Sequence, residues 1–238
     1  MLPLKIGISL SSLRQPLRKA LVTTARLGAQ AVEIDARGEF RPAEMTGTAV
    51  RQVRKMLDDL GLRVCAVNFQ TRRGYNDTDE LDRRIAATKD AMRMAYELRA
   101  PVVVNRIGRV PAEPEGPSWE LLTAALQDLA MHGDRVGAVL AARTGSEDGG
   151  DLARLLTTLD TDSIGVDFDP GGLIINGFSP LESLSELGRF VRHVRARDGV
   201  RDLAQGRGLE TPLGRGTADF PALIGMLEDF GYRGALTI

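Results

Sequence analysis

Two short stretches concentrate the ionisable side chains that could do chemistry: "GVDFDP" (165–170) and "RHVRARD" (192–198). Both alternate apolar and charged residues, the period of a strand with two unlike faces. In the first, Val166 and Phe168 claim the apolar face and leave Asp167 and Asp169 on the other. In the second, Val194 and Ala196 do the same and leave His193, Arg195 and Arg197. On adjacent parallel strands this sets Asp167 beside His193, an acid–base pair able to act as a general base. It also predicts an Asp169–Arg195 ion pair in the layer above. The alternative for His193 is a core histidine satisfied by that aspartate.

Positioning such groups requires a frame, and the rest of the chain supplies its grammar. Short β-rich runs recur at 4–9, 31–35, 63–69, 102–105, 137–142, 164–168, 191–196 and 235–238. Segments with helical spacing lie between them; "PLRKALVTTARLG" sets Leu17, Leu21 and Ala25 on one face, opens with Pro16 and stops at Gly28. Strand–helix units in series wind a parallel sheet by right-handed crossovers. Eight strands favour a closed (β/α)8 barrel in one domain, 1–238, over an open doubly wound sheet, for which no G-x-G-x-x-G follows the first strand. The run "ALTI" ends the sequence as a strand begins, so the eighth strand and its helix are expected to be incomplete.

In such barrels active sites form at the carboxyl ends of the strands. Those ends carry Ser9–Ser11, Glu33, Asp35, Asn68, Gln70, Asn105, Arg106, Arg143, Asp167, Asp169, His193, Arg195, Arg197 and Asp198. Polar groups leaving apolar strands are costly unless paired, so a ring of them calls for a partner or a ligand. Arg106, Arg143, Arg195 and Arg197 either pair with Asp169 and Asp198 or form a cationic mouth. Guanidinium forks match carboxylate and phosphate in two places at once. The glycine-rich stretch "GRGLETPLGRG" (206–216) follows the seventh strand, where barrels often hold phosphate.

Composition narrows the partners to small molecules. The net charge of -1 supplies no field for nucleic acid or an anionic membrane, and no apolar run reaches a membrane span. The single Cys65 lies in the apolar run "LRVCAVNF" and reads as a buried structural thiol. Lys5 interrupts the first apolar stretch, which makes a poor signal peptide, and the default is a cytoplasmic protein. A homo-oligomer is left open.

The phrases "LKIGISL", "GVDFDPGGLI", "RHVRARD" and "PLGRGTADFPALIGMLEDFGYRGALTI" together resemble the xylose isomerase-like TIM barrels of the sugar phosphate isomerase/epimerase superfamily. The resemblance implies a protein acting on a sugar, polyol or sugar-derived acid by proton transfer next to a carbonyl. It implies one divalent ion (Mn, Mg, Co or Zn) held by Glu, Asp, His and Glu after strands five to eight. Arg143 stands at the first of these positions, Asp169 keeps the second, Arg195 stands at the third, and the fourth would directly follow Ile238. Asp169 is then the retained metal ligand. His193, Asp167 and Glu33 become the acid–base candidates, with Glu147 a further substitute. Asn105, Arg106, Arg143, Arg195, Arg197 and Asp198 become the substrate contacts. The alternative is a metal-free, non-catalytic relative that binds an anionic small molecule. A nuclease of the same superfamily would need a histidine-rich metal cluster, and this chain has two histidines.

Overall fold

Residues 4–38, 40–202, 204 and 206–238 are described by the structure, a computed structural model. The strands are β1 (Lys5–Ser9), β2 (Ala31–Asp35), β3 (Arg63–Asn68), β4 (Val102–Asn105), β5 (Val139–Arg143), β6 (Ile164–Phe168), β7 (Val191–Arg195), β8 (Asp198–Val200), β9 (Leu209–Thr211) and β10 (Ala235–Thr237). The helices are α1 (Leu17–Arg26), α2 (Gly47–Asp59), α3 (Leu81–Glu97), α4 (Pro117–Val136), α5 (Gly149–Leu159), α6 (Pro170–Ile175), α7 (Pro180–Leu187) and α8 (Phe220–Asp229). Eight strands close a parallel barrel in the order β1-β10-β7-β6-β5-β4-β3-β2. The run at 235–238 does form the closing strand. It pairs with β1 through Lys5, Ile6 and Gly7 and with β7 through Val194 and Arg195.

The helix boundaries follow local chemistry. Thr46, Asp148, Ser179 and Asp219 each accept a backbone N–H of the first turn of α2, α5, α7 and α8. These bonds satisfy donors that a helix start would otherwise leave orphaned. α4 runs to Val136, so His132 lies within its last turns. Its Nε2 sits 3.2 Å from the Lys89 carbonyl.

Side-chain parity divides the interior in two. Leu, Ile, Val and Phe side chains from the outer strand faces pack against the helices in one continuous core that includes Leu21, Ile34, Val103, Leu126, Leu140, Val166, Phe168 and Val194. A smaller cluster of Ala66, Val102, Val104 and Ala141 fills the lumen of β3, β4 and β5. Small and β-branched residues there leave room for the long charged side chains at the carboxyl ends.

One element departs from the expected pattern. After β7 the chain makes an antiparallel hairpin, β8 with β9, pairing Asp198 with Thr211 and Val200 with Leu209. Asp198 was expected at the end of strand seven, but it opens this separate hairpin.

Candidate active site

The register of β6 and β7 pairs Asp167 with His193, the predicted neighbour relation. The His193 Nδ1 lies 2.6 Å from Asp167 Oδ1, and its Nε2 lies 2.8 Å from the Thr237 hydroxyl on β10. Thr237 in turn approaches Cys65 Sγ at 3.5 Å. This Asp–His–Thr chain has the connectivity of a nucleophile triad, yet Asp167 is 0% exposed and His193 and Thr237 are each 1% exposed. The imidazole is boxed in by protein on both nitrogens. Burial alone would depress its pKa, but the charge and hydrogen bond of Asp167 outweigh that and raise it to about 9. At neutral pH His193 is therefore a buried imidazolium, not a free base.

Linkage turns this into a prediction. A group whose pKa rises on folding stabilises the protein fully below its unfolded value, near 6.5. That contribution shrinks as pH climbs and is gone once pH passes about 9. The loss amounts to about 3 kcal/mol. Urea unfolding from pH 6 to 10 should show this decline, and His193→Asn should flatten it; an unchanged slope in the variant would show that other groups titrate.

The layer above differs from the expected Asp169–Arg195 pair. Arg195 Nε donates to Asp167 Oδ2 at 2.9 Å, and its Nη2 donates to Glu33 Oε2 at 2.5 Å. In the barrel order β6 and β2 lie four strands apart, so the Arg195 side chain spans the lumen from one wall to the other. The physical reason is reach: an arginine pointing inward has length enough to cross the barrel, and two buried carboxylates there need a counter-charge. Asp169 pairs with Arg197 instead, and its other oxygen accepts the Gly172 N–H at 2.9 Å as the cap of α6. Arg143 Nε donates to Asp167 Oδ2 at 2.9 Å and its Nη2 to Asn68 Oδ1 at 3.1 Å. Burial would raise the Asp167 pKa, but Arg195, His193 and Arg143 together hold it well below the ordinary carboxylate range.

Three further candidates have local partners. Asn105 is fully buried and turned away from the lumen: its Nδ2 donates to Tyr75 Oη at 2.9 Å, and its Oδ1 accepts from Thr71 Oγ1 at 3.0 Å. Asp198 accepts backbone N–H groups of Gly199, Gly214, Gly216 and Ala218. It ties down the glycine-rich stretch expected to cradle phosphate, and two of that stretch's amides are spent on it. Gly216 must be glycine, because a Cβ there would stand 2.1 Å from the Asp198 carboxylate. Glu147 bridges two mouth loops by accepting the Val110 N–H at 3.1 Å; burial raises it to about 7 despite that bond.

Arg106 stands apart. It is exposed and follows β4 at the mouth; its backbone carbonyl accepts from Thr71 Oγ1 at 3.1 Å, while its guanidinium has no hydrogen bond or ion pair among the described residues. Burial of part of the side chain and then the charge of Arg143 lower its pKa, with Arg197 and Arg195 adding to this against Asp169. Around the mouth, Arg106, Arg143, Arg195, Arg197 and imidazolium His193 face four carboxylates, Glu33, Asp167, Asp169 and Glu210. Of these four arginines, Arg106 alone has no carboxylate within ion-pair distance among the described residues. Thr237 and Glu210, the partners of His193 and Arg197, were missed from the sequence. The Thr237 parity opposite Gly7 was the available signal for the first.

These residues do not make a divalent-metal site. Among the described residues, no group of three or more His, Cys, Asp or Glu side chains is placed to hold a metal ion. Asp169 is committed to Arg197 and Gly172, and guanidinium groups stand at the two neighbouring positions, where they would repel a cation.

A closed eight-stranded parallel barrel with its charged residues at the carboxyl ends of the strands is a (β/α)8, or TIM, barrel. The family model for xylose isomerase-like TIM barrels matches residues 21–238, and the chain belongs to that family. Among solved structures, a xylose isomerase domain protein from Planctomyces limnophilus superposes with a TM-score of 0.86 at 24% identity, covering 99% of this chain and 90% of that one. A D-psicose 3-epimerase from Clostridium cellulolyticum H10 superposes at 0.77 with 15% identity, covering 98% and 84%. The inosose dehydratase of Lacticaseibacillus casei is 24% identical over 137 residues, 50% of this chain and 46% of the relative, so the match spans about half of each protein. No helix among the described residues is long and apolar enough to cross a membrane.

Proposed function

We propose that the chain is an isomerase/epimerase-like protein whose mouth receives a sugar-derived anion, a sugar acid or sugar phosphate, without a divalent ion. The observation that carries this reading is the unpaired Arg106 guanidinium beside Arg143 and Arg197. A guanidinium crowded by the like charges of Arg143, Arg197 and Arg195 gains from an anion that reaches it. Arg106 and the exposed edge of Arg197 supply the anion contacts. Arg143 orders the wall between them through Asp167 and Asn68. Arg195 positions Glu33 and Asp167 rather than touching the ligand. Its guanidinium stands at a position where the family resemblance implied a metal ligand, and it supplies the lumen with a fixed positive charge.

A second reading, proton transfer next to the ligand's carbonyl, is favoured by family membership and by the names of the relatives, an epimerase and a dehydratase. Against it stands the burial of His193, Asp167 and Glu33, each at most 2% exposed. One experiment separates the two. Fructose 6-phosphate is incubated with the protein in D2O, and the C–H signals next to the carbonyl are followed by proton NMR. Saturable broadening of the sugar signals without deuterium exchange is the expected result. Catalysed exchange would establish proton transfer instead. Absence of both broadening and exchange would overturn the sugar-anion reading.

A further inference from the structure

A groove of about 670 Å³ opens at the rim of the barrel beside the mouth, between the segment after the carboxyl end of β2 and the β3–α3 connection with the first turns of α3. Six arginines line it: Arg37, Arg41, Arg72, Arg73, Arg83 and Arg84. It lies outside the lumen, because Ala36 and Phe69 at its base pack in the outer core. No step of the proposed function uses it.

Its charges do not cancel. Three acidic residues line the same groove, Asp79, Glu80 and Asp90, and all three are engaged. Asp79 pairs with Arg73 at 2.5 Å, Glu80 with Arg83 at 3.1 Å, and Asp90 with Arg93 at 3.3 Å. Arg41 faces Glu44 at 3.3 Å. Arg37, Arg72 and Arg84 form no ion pair among the described residues, and the Asp77 carboxylate, which pairs with Arg73 at 3.4 Å, acts on Arg84 only at longer range. The Arg37 guanidinium lies over the Phe69 ring at 5.0 Å, which fixes its place without neutralising it. Arg84 donates to the backbone carbonyls of Asp79 and Asp77, and its Nε is shielded from solvent with no acceptor. Arg72 has neither. A protein whose net charge is -1 thus gathers in one concavity three guanidinium groups that form no ion pair among the described residues.

We infer that this groove is a second anion site, built for an organic diphosphate. Three guanidinium groups at separate points ask for an anion with oxygens on more than one centre. A phosphoanhydride offers that, with bidentate geometry at each phosphoryl group. The volume falls within the ~300–1,000 Å³ of small-molecule sites. A nucleic acid polymer is disfavoured, because the chain as a whole presents no positive field to hold one.

The test is calorimetric titration of the full chain with sodium pyrophosphate and, separately, with ADP, at low salt. Saturable binding of both is expected, weakening as sodium chloride is added. The double variant Arg37→Ala/Arg72→Ala should weaken it at least about tenfold. Both side chains are exposed, so the variant's thermal midpoint should match the parent's. In Arg106→Ala, which removes the anion contact proposed at the barrel mouth, saturable pyrophosphate binding should persist. Tighter binding of ADP than of pyrophosphate would add contacts to the organic part, and equal binding would place all recognition on the phosphoryl groups; either supports the site. No saturable heat for either compound, unchanged affinity in the double variant, or loss of all saturable binding in Arg106→Ala would overturn it.

Discussion

Asp167→Asn should destabilise the protein by about 3–5 kcal/mol, the largest effect expected of any single polar substitution here. The carboxylate is fully buried and serves three cations at once: His193 through Oδ1, and Arg143 and Arg195 through Oδ2. The amide keeps the shape but removes the anion, and it presents an N–H₂ toward guanidinium or imidazolium donors. His193 then loses the partner that keeps it charged, so the predicted alkaline decline in stability should vanish with it. A domain of this kind has a net stability of only about 5–15 kcal/mol, so the variant stands near unfolding at 37 °C. Urea denaturation followed by circular dichroism measures the change. A loss below about 1 kcal/mol would mean that the ion network is not a support of the fold.

Arg195→Met should cost nearly as much, about 3–5 kcal/mol, for the complementary reason. Glu33 is 2% exposed and hydrogen-bonded to Arg195, so the variant strands a buried carboxylate. Because Asp167 keeps Arg143 and His193 while Glu33 loses its ion-pair partner, the double variant Glu33→Leu/Arg195→Met should recover most of it. Neutralising both ends of a buried pair with apolar groups is often close to neutral. Additive losses in the double variant would show that the two residues act independently, contrary to the observed contact.

The parity argument from "GVDFDP" and "RHVRARD" put Asp167, His193 and Arg195 on one face, because alternation along a strand admits only two, but Asp169 and Arg197 lie beyond the strand ends. It placed Asp167 beside His193 for the same reason. What it could not supply was the reach of long side chains. Arg195 crosses the barrel to β2 and Arg197 turns back to Asp169, contacts set by the closed geometry rather than by neighbouring sequence. Asn105 was misplaced because Val102 and Val104 take the lumen face of β4, so its side chain falls on the helix side with Tyr75. Asp198 looked like a strand end because nothing in "RHVRARD" marks the hairpin that follows; its four backbone partners come mostly from 16 to 20 residues later. The fold itself was legible from the count of strand–helix units, since each unit leaves one strand that a parallel neighbour must cover.

The central claim is that the barrel mouth selects an anion through Arg106. Calorimetric titration with fructose and with fructose 6-phosphate, on the parent chain and on Arg106→Ala, tests it most directly. One guanidinium–phosphate contact in a partly buried site is worth about 1.5–3 kcal/mol. The phosphate ester should therefore bind roughly 10- to 100-fold more tightly than the neutral sugar, and Arg106→Ala should remove that advantage while leaving the urea midpoint unchanged. Equal affinities for the two sugars, or a phosphate affinity indifferent to Arg106→Ala, would contradict the account.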